Sequence, residues 1–540
     1  MKKKTRSLLL ALPTVLALLL FFIGPMVYIL IRTLAQGGSG AFLKFFTDEF
    51  YLKILWTTLR VSLLSTVVSL LLGYPTAYYM ARTHSKMKTV MMIIILFPFL
   101  VSAVVRSYGW MVILGKNGLF NQLLLALGLI QKPLSILHTE AAVIICMIHL
   151  LIPYMVLSLV GVLQSIDPNV EYAAYSLGAA PLTVFRKVTF PLSLPGIISG
   201  CVLVFTMSMT SYVTPKLLGG SKFRMMATMV VQEINVNFDW QAASAISYIL
   251  LSVILLVQVL VVLITSGYMK RLGAVKMREK KVNFLCRLIA VLVMCFLLAP
   301  LVIIIIASFT PTAVVTFPPK GFSLKWYKNI FSSSTQFMSG LVNSLKIGLL
   351  ATALDILLGV TASLSICRYD FNGKNLLLNY FTSPMYVPSV AYAFVLLQVY
   401  SQIGGIPGAL RIFIGHFVII LPYIVRNTVS VLHVFNWTLE DAATSLGANP
   451  MQVFFKITIP LAKPGILAGG LLAFLYSFDE VALSSLLSTP KFITLPIRIM
   501  NYMELTFDPT LAAVSTFLIL GSLGLIVLME KFVGLDMFVK

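Results

Sequence analysis

A 27-residue stretch occurs twice in this chain, and that repetition constrains the fold more than any other feature. Glu171 to Ile197 reads EYAAYSLGAAPLTVFRKVTFPLSLPGI, and Glu440 to Ile466 reads EDAATSLGANPMQVFFKITIPLAKPGI, a gap-free match at an offset of 269 with 17 of 27 positions identical. A second block, Thr57 to Arg82, matches Asn343 to Arg368 at an offset of 286. Two related halves in tandem are expected, 1–269 and 284–540, joined by a basic linker at 270–283. The offset changes by 17 between the blocks, so half one carries a net insertion, most simply placed in the Arg106 to Lys132 region.

Each half contains six apolar runs of about 20 residues, the length that crosses ~30 Å of hydrocarbon. They lie near 8–31, 58–80, 89–113, 140–163, 195–218 and 243–268, then near 284–309, 341–366, 376–400, 412–432, 463–487 and 511–532. With 59% hydrophobic and 11% charged residues and a mean hydropathy of +0.97, a soluble domain would lack polar surface. The expected class is an all-α polytopic membrane protein, about twelve transmembrane helices in two parallel six-helix repeats.

The net charge of +22 would suit nucleic acid, but its distribution follows the positive-inside rule. Lys2, Lys3, Lys4 and Arg6 precede span one, Arg82, Lys86 and Lys88 follow span two, and the linker carries Lys270, Arg271, Lys276, Arg278, Lys280 and Lys281 against Glu279. Contact with membrane lipid explains the charge, and no nucleic-acid partner is expected. Both termini, the linker and both copies of the repeated loop are then cytoplasmic. Span one exceeds the 7–15 apolar residues of a signal peptide's h-region and is expected to be retained. The five cysteines form no CxxC or Cys/His spacing, so neither a disulfide framework nor a zinc site follows.

The repeated loops, 165–197 and 434–466, read as helix, turn, helix. Asp167 before Pro168 is a capping acceptor ahead of a first-turn proline, and Asn436 holds the equivalent place in half two. Gly178 and Gly447 are placed to end the first short helix in the left-handed region, and Pro181 and Pro450 to start the second. Pro191 and Pro460, then Pro195-Gly196 and Pro464-Gly465, are expected to break the chain before spans five and eleven. Small residues at Ala173, Ala174, Ala442 and Ala443 would let the first helix seat closely in a partner's groove.

The E-x-A-A-x-x-L-G pattern with its Pro-rich return resembles the EAA loop of permease subunits of ATP-binding-cassette importers. That resemblance implies loops that dock in clefts of two cytoplasmic ATPase subunits, with Glu171, Ala174, Gly178, Glu440, Ala443 and Gly447 at the contact. It extends over nearly the whole chain. Arg106-Ser-Tyr-Gly-Trp110, Asn117-Gly-Leu-Phe-Asn121 and Tyr212-Val-Thr-Pro-Lys-Leu-Leu-Gly-Gly220 resemble one permease subunit of spermidine/putrescine-type importers. Gly321 to Tyr327, Ser477-Phe-Asp-Glu-Val481 and Thr494-Leu-Pro496 resemble the other. The implied system sits in a bacterial inner membrane and needs a separate ATPase, as a homodimer, and an extracytoplasmic solute-binding protein, which the loops near 310–340 and 485–510 would face. This chain itself has no G-x-x-x-x-G-K-[ST] phosphate loop. It is expected to be a transport subunit and not an enzyme, with no cofactor and with ATP bound by the partner.

For the solute, ionisable groups within spans carry the information, since a charge at membrane depth costs roughly 2.5–3.5 kcal/mol on insertion scales. Asp355 lies in span eight and Asp479-Glu480 in span eleven, whereas half one has Ser69, Thr210 and Ser211 at those positions. An acidic wall on one side suits a cationic or amine solute, and the resembling subunit of polyamine importers carries an acidic pair where Asp479 and Glu480 stand. The competing reading is that one of the pair meets a base or caps a break in the span. Ser477 joins this group, and Tyr108, Trp110, Tyr212, Tyr386 and Tyr392 are candidates for cation–π contact or for interfacial belts. Where the family often has an acid after the span-nine proline, this chain has Pro388-Ser389. An aminophosphonate, an opine or ferric iron stays open as cargo, with Arg106 then facing an anionic group. His149 and His416 read as interior histidines. A twelve-helix secondary transporter is the rival class, but it would not need two matched docking loops.

Overall fold

A computed structural model describes residues 2–35, 39–83, 86–269, 284–314, 317–319, 321–331, 336–506 and 508–532. The basic linker at 270–283 lies outside the described residues. Among them the chain is helical, and its one extended pairing is an isolated bridge between Thr489 and Phe492. Among the described residues, ten helices are long and apolar enough to cross a membrane: Leu9–Thr33, Glu49–Arg82, Glu140–Ser165, Pro181–Met209, Trp240–Val261, Phe284–Ala307, Phe337–Arg368, Gly408–His433, Pro450–Asp479 and Thr510–Val527. Two further segments reach that length only as bent pairs, Met87–Leu100 with Ala103–Ala126 at 97° and Lys374–Tyr386 with Ser389–Ile403 at 90°. Counting each pair as one span gives the expected twelve, but spans three and nine are sharply bent.

The bends have local causes. Ser102 accepts from the Val104 amide at 3.3 Å, capping a new helix. In half two Pro388 cannot donate a backbone hydrogen bond and stands as N-cap of the Ser389–Ile403 helix.

The chain divides into two compact units, and these cut across the sequence halves. One comprises Met1–Leu43, Glu233–Tyr248 and Gln336–Arg498; the other comprises Lys44–Gln232, Ile249–Thr335 and Ile499–Lys540. In the first unit, the Phe337–Arg368, Gly408–His433 and Ile459–Asp479 helices pack together, and the chain's opening helix lies along Phe337–Arg368. Polar ties hold that helix: Thr14 donates to the Leu358 carbonyl at 2.9 Å, and Tyr380 and Tyr392 donate to the carbonyls of Val15 and Phe21 at 3.0 and 2.8 Å. In the second unit the corresponding trio is Glu49–Arg82, Glu140–Ser165 and Phe190–Met209, and Phe284–Ala307 packs against Glu49–Arg82 and Ala103–Leu114. There a Cβ on Gly109 would meet Pro300 and Ile304 at 2.8–3.0 Å, so hydrogen at that position permits the approach.

The extra residues of half one form the Leu119–Ala126 helix and the loop after it. Asn121, fully buried, fixes that loop by donating to the carbonyls of Gly115 and Leu134, each at 3.0 Å, and accepting from the Leu134 amide at 2.8 Å.

Candidate functional site

Both repeated loops fold to the same local design. Asp167 accepts from the Asn169 amide at 2.7 Å, and Asn436 accepts from the Thr438 amide at 3.1 Å. The short helices Pro168–Ser176 and Thr438–Ser445 follow. Each ends in a Schellman turn: the Gly178 amide donates to Tyr175 and that of Ala179 to Ala174, while the Gly447 amide donates to Thr444 and that of Ala448 to Ala443, all at 2.9–3.0 Å. Gly178 has φ +83° and Gly447 φ +88°, the left-handed region that favours glycine.

The prolines that follow do not break the chain as expected. Pro181–Met209 and Pro450–Asp479 are continuous helices. Each contains one π-helical turn, Phe185–Thr189 and Phe454–Thr458. A proline removes an i→i−4 bond and its ring presses on the carbonyl four residues earlier. Placing one wider turn directly before Phe190-Pro191 and Ile459-Pro460 relieves that pressure without ending the helix.

Glu171 and Glu440 are only 2% and 3% exposed, so their carboxylates face into the protein. In the second unit Arg82 donates to Glu171 at 3.0 Å, both side chains being buried. Thr189 donates to the same oxygen at 2.8 Å. Arg82 also donates to the carbonyls of Leu163 and Ile166 at 3.2 and 3.3 Å and lies over the Tyr78 ring. The first unit repeats the triad with the aligned residues: Arg368 pairs with Glu440 at 2.6 Å, and Thr458 donates to Glu440. Here the arginine is 42% exposed. Burial, and secondarily the Glu171 carboxylate, raise the phenol of Tyr175 above its ordinary range. The repeated glutamates therefore brace each loop from within.

Among exposed polar residues, each loop offers apolar side chains outward at aligned positions. Leu177 and Leu446, at aligned positions immediately before the turn glycines, are 88% and 89% exposed. The aligned Leu182 and Met451 are each 66% exposed, and Gly178 and Gly447 have open space on their Cβ side. Ala174 and Ala443 are half-buried. The outward leucines were missed in the sequence, although the L-G step is identical in both copies and a leucine beside a left-handed glycine in a polar loop is a readable signal.

Spans five and eleven end earlier than expected. In the first unit the long helix stops at Asp479, and a separate short helix runs Ala482–Leu487. Glu480 lies at the break and accepts from the Leu483 amide at 2.9 Å, so it caps the short helix. His416, fully buried, bridges the two pieces: its Nδ1 is 2.7 Å from the Ser477 hydroxyl and its Nε2 2.9 Å from that of Ser484. Asp479, Glu480 and Ser477 thus share one break. The second unit has the same interruption between Phe190–Met209 and Val213–Leu218, with Ser211 in the place of Glu480.

Asp355 is fully buried, and neither carboxylate oxygen has a hydrogen-bond partner among the described residues. Tyr392 packs edge-on against Phe22 at 5.5 Å. Tyr386 is exposed. Tyr108, Trp110 and Tyr212 belong to the second unit and are buried. Trp110 packs edge-on against His149 at 5.7 Å and tilted against Phe296 at 5.2 Å, and His149 meets the Leu297 carbonyl at 3.1 Å. Among the described residues no group of three His, Cys, Asp or Glu is placed to hold a metal ion.

A family model described as "Binding-protein-dependent transport system inner membrane component" matches residues 69–270 and again 355–533. The chain belongs to this family. It is a transport permease with the domain duplicated in one polypeptide, and not an enzyme. The spermidine/putrescine transport system permease protein PotB of Haemophilus influenzae is 35% identical over 200 residues, covering 37% of this chain and 70% of that protein. PotC of the same organism is 30% identical over 238 residues, 44% of this chain and 92% of its own length. The putrescine transport system permease protein PotI of Escherichia coli is 32% identical over 238 residues, 43% and 84% respectively. Membership in a binding-protein-dependent family leaves the secondary-transporter reading of this permease without support.

Proposed function

We propose that this permease forms the membrane pathway of an ATP-driven importer for a small cationic amine of the polyamine kind, received from an extracytoplasmic solute-binding protein. The repeated loop carries the reading. Two copies of one rigid element, each braced by an internal Arg–Glu–Thr triad and each presenting an exposed leucine, suit docking to two copies of a cytoplasmic ATPase. ATP binding closes the ATPase pair, draws the two loops together and opens the pathway outward; hydrolysis returns it inward. Both chain termini are then cytoplasmic.

Three of the relatives are named for spermidine/putrescine or putrescine transport, which supports an amine cargo over an aminophosphonate, an opine or ferric iron. Within this chain Asp479 is the acid suited to meet it. Its neighbour Glu480 already serves as a helix cap. Asp479→Asn is expected to raise the apparent KM for labelled spermidine at least tenfold, while Glu480→Gln, which keeps an oxygen for the Leu483 amide, has a smaller effect. Unchanged affinity in Asp479→Asn removes that residue from the pathway.

A further inference from the structure

The first helix carries the same kind of π turn as the two loop-bearing helices. Between its α-helical segments lies a π-helical turn, Leu19–Ile23, followed by Gly24-Pro25. A Cβ on Gly24 would meet the Leu19 carbonyl oxygen at 2.7 Å, so glycine leaves this turn unstrained. Beside it, against the Ser389–Ile403 helix, runs an apolar groove of about 610 Å³ lined by Leu16, Leu19, Leu20, Pro25, Tyr28 and Val399. Leu16, Leu19 and Leu20 remain 51–66% exposed.

At one end the groove meets a recess of different chemistry. Tyr28 donates to Gln402 at 2.8 Å, and one helical turn further on a polar recess of about 300 Å³ is lined by Arg32, Trp240, Gln241, Gln398, Ser401 and Gln402. Tyr28 and Arg32 are four residues apart on one helix and Val399 and Gln402 three apart on the other, so the two linings continue along the same faces. The buried amide oxygen of Gln398 has no hydrogen-bond partner among the described residues. Arg32 makes no ion pair among them either. All these residues belong to one compact unit.

We propose that groove and recess together hold one phospholipid, with an acyl chain along the first helix and its phosphate against Arg32. Dimensions agree: the residues from Leu16 to Tyr28 rise about 18 Å at helical pitch, against ~15 Å for one leaflet of a ~30 Å hydrocarbon core. Charge agrees too, because Arg32 supplies a cation for a phosphate and the glutamines and Ser401 supply polar partners for the glycerol and headgroup. Trp240 stands where the aromatic belt of a membrane interface would lie. A soluble anion would fill the recess and leave the groove idle, whereas a lipid uses both.

The test is native mass spectrometry of the full chain extracted in mild detergent, comparing wild type with Arg32→Gln and Val399→Trp. The first removes the charge, and the second fills the groove at a distance from it. The wild-type chain is expected to retain one phospholipid, and each variant to lose at least most of that occupancy while keeping its thermal transition. Wild-type occupancy in both variants overturns the site, and so does loss in Arg32→Gln alone, since a headgroup held without its acyl chain is not this lipid.

Discussion

The arginines at 82 and 368 do the same task in different dielectric surroundings, and that difference has a measurable consequence. Arg82 and Glu171 are each 2% exposed, while Arg368 is 42% exposed. Removing one member of a buried pair strands the other charge at a cost of about 3–5 kcal/mol; Arg368→Gln also leaves the buried Glu440 without its cation, but only Arg82 is itself buried and holds the Leu163 and Ile166 carbonyls besides. Arg82→Gln is therefore expected to lower the thermal transition of the purified permease clearly more than Arg368→Gln, and equal losses would contradict the burial argument. Outward residues behave in the opposite way. Leu177→Glu or Leu446→Glu touches little of the fold, yet burying a leucine at an interface contributes about 1.5–3 kcal/mol; ATPase pull-down is expected to weaken about tenfold or more with the thermal transition unchanged. Asp355 makes a third case. A buried polar group without a partner costs about 1–3 kcal/mol, so Asp355→Leu is expected to stabilise the chain in the same thermal assay, and a loss of stability would mean that the carboxyl is satisfied.

At the level of elements, the turn glycines connect conformation to coupling. Tryptophan at 178 or 447 finds open space but must hold a left-handed backbone at roughly 1–2 kcal/mol. Gly178→Trp and Gly447→Trp are expected to insert normally and to abolish uptake, measured as ATP-dependent solute accumulation; wild-type uptake would contradict the docking role. Caps and turn glycines were legible in the sequence because each depends on local chemistry: Asp167 before a proline, Gly178 after a short alanine-rich helix. The prolines at 191 and 460 misled because a helix can absorb a proline through one π turn, and no single residue announces that turn. The end of span five was hidden for another reason, and that of span eleven was foreseen only as the competing reading in which one of the acidic pair caps a break. Apolar residues resume from Val481 to Leu487 around Ser484-Ser485, and the stop at Asp479 depends on Glu480 reaching Leu483 and on His416 arriving from another helix. The buried Arg–Glu pairs were equally out of reach, since Arg82 and Glu171 are joined only by tertiary packing.

For the whole molecule, the repeat and the apolar periodicity made the class legible, because span length and duplication are properties of the chain itself. Which helices pack into which compact unit was not legible: the opening helix lies along Phe337–Arg368, and Phe284–Ala307 along Glu49–Arg82, pairings between segments hundreds of residues apart. On the proposed mechanism, both loops engage the ATPase for one pathway to work. The most direct measurement is uptake of labelled spermidine and putrescine into proteoliposomes that contain this chain, its ATPase and its binding protein, with an aminophosphonate as competitor. The account predicts ATP-dependent accumulation of a polyamine, unaffected by the aminophosphonate and lost when Leu177 and Leu446 are both replaced by glutamate. Accumulation that proceeds without ATP, or that survives the loss of both leucines, would contradict it.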